Sequence, residues 1–285
     1  MCIFLHLSFV NAAEKIKIVV SIPPQTYFVK QIGGNFVDIM CLLPEGKTPH
    51  FYEPKPQQMK FLSRADMYVR IKVDYENAWW DKIIATNSDM LIVDSTHNIE
   101  FIEEPAKHHD SRYLSKKVPS QVKLDPHIWL SPQMVKSQVE HIYQGLITID
   151  PEHLDVYKEN KKALIQSLDI LDNEIREKLA DTTFHHFMVY HPVWSYFAKD
   201  YNLEQIPIEI DGKEPSAKEM LELMKIAKKK HITVILLQPQ ANQRIANIIA
   251  KQIGAKVEII NPLAPQWLKN MRYVMDVFVA TLSRK

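Results

Sequence analysis

The chain has 285 residues, 46% of them hydrophobic, enough to build two separate cores. Its 35 basic and 34 acidic residues leave a net charge of +1, so nothing points to a nucleic-acid partner. Glycine is scarce, at six residues, and none stands in GxGxxG, GxxxxGK[ST] or GxSxG, so the dinucleotide, P-loop and serine-hydrolase readings lack their usual backbone.

Residues 1–13, MCIFLHLSFVNAA, are a short apolar run followed by small residues, with Val10 and Ala12 spaced as the −3 and −1 positions of a signal-peptide cleavage site. No basic residue precedes the run, and a buried first strand or helix is the alternative reading. No later apolar run reaches the ~18 residues of a membrane span. With the leader removed only Cys41 remains, in the strand-like VDIMCLL, where a buried inert thiol is expected. Cys2 lacks the residues that would precede a lipid-modified cysteine.

Residues 15–22 read as a β-branched strand stopped by Pro23-Pro24, and 25–32 as a helix closed by Gly33-Gly34. Strands follow at 37–43, 67–71 and 90–95, with helices at 57–65 and 76–85 between them. Residues 98–123 turn polar, as a surface loop, and a helix is predicted over 133–149. The next stretch, 150–181, carries Leu154, Tyr157, Leu164, Leu168, Leu171, Ile175 and Leu179 on one helical face. Asp150 is placed to cap this helix and Pro151 to open it. At ~1.5 Å per residue it would run roughly 45 Å, longer than an ordinary crossover needs. Beyond it the pattern returns: strands at 187–190, 203–210, 233–237 and 257–260, and helices at 193–201, 216–229, 243–253 and 265–283. Alternating strands and helices imply parallel sheets covered by helices. The expected fold is α/β with two lobes, each a mostly parallel four-stranded sheet flanked by helices, joined by one long rigid helix. The expected division is a leader at 1–13, a first lobe at 14–149, the linking helix at 150–181 and a second lobe at 182–285.

Three of the twelve histidines stand out by context. His50 lies in KTPHFYEP after a strand, His127 in LDPHIWLSP before a helix, and His191 in MVYHPVW at a strand end. A preceding proline stiffens the loop at the first two. Imidazole nitrogen suits Zn²⁺ and its transition-series neighbours, and three such ligands leave a fourth position. Taken singly each reads equally as a capping or packed histidine; together, each at the mouth of a predicted sheet, they favour a metal.

These residues sit in longer strings. GKTPHFYEPKP at 46–56, AD at 65–66, ENAW at 76–79, DPHIWLSP at 125–132, HPVWSYF at 191–197, EPS at 214–216 and NPL at 261–263 occur in that order. Over nearly all of residues 15–285 the chain resembles the zinc/manganese substrate-binding proteins of bacterial ABC importers. The resemblance implies a periplasmic solute-binding protein, a monomer that takes a divalent ion and delivers it to a membrane permease. It implies His50, His127 and His191 as metal ligands, and a histidine at the third position points to Zn²⁺ over Mn²⁺. The family usually has an aspartate ligand before PL, where this chain has Asn261, so the fourth position falls to Asn261, a water or nothing. Gln238 in LLQPQ replaces a glutamate that relatives often carry, and both changes remove negative charge near the expected cleft. His97, His108 and His109, with Glu103, Glu104 and Asp110, occupy the place of a metal-gathering loop in zinc-type members, and here read as a solvated loop.

The competing class is a zinc hydrolase, with Glu209 or Asp211 as general base. A manganese- or iron-binding member of the same family, or an adhesin-like surface protein, is the third reading.

Overall fold

The computed structural model describes residues 14–103, 124–210 and 212–283. The leader segment, His108, His109, Glu104, Asp110 and Asp211 lie outside them.

The first lobe is built from β1 (Ile16–Val20), α1 (Pro23–Gly33), β2 (Val37–Cys41), α2 (Pro56–Leu62), β3 (Met67–Arg70), α3 (Asp74–Thr86), β4 (Leu91–Asp94) and α4 (Pro132–Ile149). Its four strands are parallel in the order β2-β1-β3-β4. Pro23 and Pro24 do not merely stop the strand: they form the first turn of α1, where their missing N–H groups need no partner. α4 lies close on the sheet because Gly145 has no side chain; a Cβ there would meet Val93 Cγ2 at 2.4 Å and Met67 Sδ at 2.7 Å.

α5 (Leu154–Ala180) is the long helix, 27 residues or about 40 Å. The predicted face is buried at Tyr157, Leu164, Leu168, Leu171, Ile175 and Leu179, against α1 and α4 on one side and the last helix on the other. Leu154 is exposed, because the chain enters through a 3-10 turn at Pro151–His153. Asp150 does not cap the helix as expected. Its carboxylate accepts instead from the His153 ring and the Tyr157 hydroxyl.

The second lobe repeats the first: β5 (His186–Val189), α6 (Ser195–Asp200), β6 (Glu204–Pro207), α7 (Ala217–Lys229), β7 (Val234–Leu237), α8 (Gln243–Ile253), β8 (Lys256–Ile259) and α9 (Trp267–Leu282). Its strands are also parallel, in the equivalent order β6-β5-β7-β8. The sixth strand is shorter than predicted and ends at Pro207. One apolar core runs from the first sheet through α5 into β5, α6 and α9, with Trp129, Trp194 and Trp267 fully buried. Phe28 of α1 packs edge-on against Trp267 of α9, ring centroids 5.3 Å apart. A smaller core of Met188, Ile206, Ile235, Leu237 and Ile249 fills the far side of the second sheet. The lobes are therefore held together by apolar packing as well as by the helix. Cys41 gives its thiol to Leu43 O, and burial pushes it up to about 12, the inert state expected.

Candidate metal centre between the lobes

In open parallel sheets the ligand-facing edge lies beyond the carboxyl ends of the strands, near the strand where crossovers change direction. β5 is such a strand, flanked by β6 and β7, and His191 stands two residues past its end. His50 follows β2, and His127 lies on the segment that leads into α4. The structure brings all three together. His50 Nε2 is 3.1 Å from His191 Nε2, and the His127 and His191 ring centroids are 5.7 Å apart.

Each ring has a carboxylate on its other nitrogen. His50 Nδ1 is 2.6 Å from Asp74 Oδ2, His127 Nδ1 is 2.7 Å from Asp125 Oδ1, and His191 Nδ1 is 2.7 Å from Glu209 Oε2. An ionised carboxylate only accepts, so in each pair Nδ1 carries the proton and a neutral ring keeps its Nε2 lone pair. This is how proteins set the tautomer and raise the basicity of a metal-binding imidazole. Burial pushes His191 below the usual histidine range, helped by His127 and His50 and opposed by Glu209, which keeps this ring neutral. Burial also works against ionisation of Asp125, yet the His127 ring and hydrogen bonds from it and from Ser195 outweigh that, and the carboxyl ends below its ordinary value.

The local sequence explains the placement. Asp125 turns back on its own segment, accepting from both the backbone N–H and the ring of His127. Glu209 reaches His191 because β5 and β6 are parallel neighbours and their extensions stay paired, with Glu209 N donating to Tyr190 O at 2.9 Å. Asp74 opens α3, and Tyr75 N holds Pro49 O, so the helix start grips the His50 loop at two points. Beneath it Glu76 is fully buried and accepts from Ser21 Oγ, Tyr68 Oη at 2.8 Å, Ile71 N at 3.1 Å and Lys72 N.

Among the described residues no group of three or more His, Cys, Asp or Glu side chains stands ready as a finished metal cage. His50 and His191 nevertheless bring their Nε2 atoms to 3.1 Å of each other. Two nitrogens on one tetrahedral zinc ion lie about 3.3 Å apart, from Zn–N bonds of about 2.0–2.1 Å. The trio is thus a few tenths of an ångström tighter at that pair than an ion requires.

Comparison with known proteins settles the family. The model described as zinc-uptake complex component A, periplasmic, matches residues 18–281. The chain belongs to this family. It is 29% identical over 257 residues to the high-affinity zinc uptake system protein ZnuA of Bacillus subtilis, covering 89% of this chain and 80% of that protein. It is 32% identical over 288 residues to the zinc-binding protein AdcA of Streptococcus pyogenes, covering 97% of this chain but 55% of the relative, so it spans about half of that protein. A crystal structure of ZnuA superposes with a TM-score of 0.86 at 39% identity, covering 95% of this chain and all of that one.

The remaining expected residues each have contacts of their own. Asn261 lies two residues past β8, where its Oδ1 accepts from Leu263 N at 2.9 Å and its carbonyl from Asn270 Nδ2 at 2.8 Å. Gln238, just past β7, donates through Nε2 to the His191 carbonyl at 2.9 Å and leaves its Oε1 buried without a partner. His97 packs edge-on against His141 of α4, ring centroids 5.9 Å apart. Glu103 forms an isolated antiparallel bridge with Leu124. Sequence reasoning missed Asp74 and Asp125 as partners of the histidines and gave Glu209 a different task. For Asp125 and Glu209 the available signal was position, two residues from a candidate ligand and just past the strand beside β5; Asp74, 24 residues from His50, carried none.

Proposed function

We propose that the chain captures Zn²⁺ between its lobes through Nε2 of His50, His127 and His191 and delivers it to the permease of an ABC importer. The observation that carries this reading is the set of three carboxylate-held imidazoles gathered at one point, His50 Nε2 at 3.1 Å from His191 Nε2 and the His127 ring 5.7 Å from that of His191. Two lone pairs facing each other across 3.1 Å repel unless a cation or a proton lies between them. A ring kept neutral by burial favours the cation. An all-imidazole set ranks Zn²⁺ well above Mn²⁺ in intrinsic affinity. The fourth position goes to water, because Asn261 Oδ1 is a neutral oxygen already engaged by Leu263 N.

The protein acts outside the cytoplasm, as a monomer, and is not an enzyme. Glu209, the base that a hydrolase would need beside a metal-bound water, is committed to the His191 ring. The apolar packing between the lobes supports small movements of loops rather than a wide hinge.

The test is competitive titration of the demetallated protein with zinc against manganese. One tight zinc equivalent that is lost in His127→Ala and His191→Ala supports the assignment. Preference for manganese, or zinc binding indifferent to both substitutions, overturns it.

A further inference from the structure

The three histidines are not held alike. Residues 127–131 are all buried, and Asp125 is 2% exposed. Four hydrogen bonds tie this segment to the second lobe. Trp129 Nε1 donates to Pro262 O at 2.8 Å, and Trp267 Nε1 donates to Trp129 O at 2.7 Å. Tyr196 Oη donates to Asp125 O at 2.9 Å while accepting from Ile102 N at 3.0 Å. Ser131 Oγ bonds Asp200 Oδ2 at the far end of α6. Since α6 begins four residues after His191, one short helix braces both histidine segments.

The His50 loop is different. Glu45, Gly46, Lys47, Glu53 and Lys55 are exposed, and Phe51, next to His50, is 90% exposed. Its anchors all belong to its own lobe: Asp74 and Tyr75 N of α3, and the buried Tyr52, which packs on Tyr75 and donates to Gln58 of α2; it meets the second lobe at the His50–His191 contact. Breaking one half-buried contact between two side chains costs far less than opening a buried aromatic joint, and such low-stability segments are where proteins open locally.

We propose that the ion enters and leaves on the His50 side. His127 and His191 form a half-site that stays assembled with or without metal, and the His50 loop closes over it. Trp129, Tyr196 and Trp267 are the positioning residues that keep His127 with the second lobe. The inference rests on the zinc-capture reading and adds to it which ligand exchanges.

Hydrogen exchange of the full chain, metal-free and with one equivalent of zinc, tests this directly. The amides of 125–131 should be protected in both states and change less than about twofold. Those of 44–55 should exchange quickly without metal and slow on the order of tenfold with it. Tyr196→Phe, which removes one hydroxyl, should speed exchange in 125–131 of the metal-free protein and make that segment respond to zinc, with 44–55 unchanged. Equal zinc-induced protection of both segments, or a wild-type 125–131 segment that is open without metal, overturns the proposal. A zinc titration of the same sample separates the two failures: absence of tight binding removes the capture reading, whereas tight binding with equal protection removes the assignment of the exchanging ligand.

Discussion

His50 Nε2 and His191 Nε2 lie 3.1 Å apart although 141 residues separate them in the chain. Each reaches that point with its Nδ1 fixed by a carboxylate from its own lobe, Asp74 for one and Glu209 for the other. The contact is therefore made by two ring–carboxylate pairs, one carried by each sheet, and an ion between them would join the lobes.

The carboxylates should matter to zinc without being ligands. Asp125→Asn and Glu209→Gln keep the shape of each pair but weaken the pull on the Nδ1 proton. Zinc affinity should fall about 10–100-fold in each, the usual effect of losing such a partner. Competition with a chromophoric chelator measures the loss. An unchanged affinity would mean that the carboxylates only pack against the rings.

Asn261→Asp should tighten zinc binding several-fold. A carboxylate adds a charged oxygen where the present side chain leaves the position to water, and its other oxygen can still accept from Leu263 N. The same titration, run with zinc and manganese, checks this, and zinc should stay ahead of manganese because the three imidazoles are unchanged. No gain would show that the turn holds the side chain too far from the ion.

Asp172 of α5 anchors a polar joint between the long helix and both lobes. It accepts from Gln133 Nε2 at 2.7 Å, Tyr201 Oη at 2.8 Å and Arg176 Nε at 3.0 Å. Burial opposes its ionisation, but Arg176, Tyr201 and Gln133 outweigh that and hold the carboxyl below its ordinary value. A carboxyl lowered in the folded state adds stability that is complete above its unfolded value, about 4, and is lost as pH falls through the folded one. Asp172→Asn should therefore destabilise at pH 7 by about 1–3 kcal/mol. The gap should persist to pH 4 and shrink below it. Urea unfolding of both proteins across that range measures it.

Much of this was legible in the sequence because the signals were long and repeated. The apolar face of 154–179 and the alternation of β-branched runs with helical spacing were enough for two parallel sheets and a joining helix, and PH at 49–50 and 126–127 marked two of the three histidines. What stayed hidden depends on distant parts of the chain meeting. Nothing near Asp74 in sequence signals His50, 24 residues away, and Glu209 serves His191 only because β5 and β6 pair in parallel. Asp150 misled for a local reason: its side chain fits a helix cap by type, but Tyr157 and His153 compete for the same oxygens. ENAW served as a family marker, and only the fold gives its glutamate a task.

That glutamate, Glu76, is fully buried and gathers Ser21 Oγ, Tyr68 Oη, Ile71 N and Lys72 N onto one carboxylate, two residues from Asp74. Lys72 adopts a left-handed backbone, φ 64°, to bring its N–H round. Burial pushes the carboxyl above its ordinary value, and the donors pull it back in part. Glu76→Ala would leave Ile71 N buried without an acceptor and Lys72 N without its partner, with Ser21 Oγ and Tyr68 Oη left to each other and Val69 O, at a cost of about 1–3 kcal/mol. The start of α3 should loosen with it, and so should the Asp74 grip on His50. The expected result is a lower melting temperature together with weaker zinc binding, while His127 and His191 keep a residual two-imidazole affinity. Thermal melts and chelator competition on the same variant check both effects, and a destabilised protein with wild-type zinc affinity would separate Glu76 from the site.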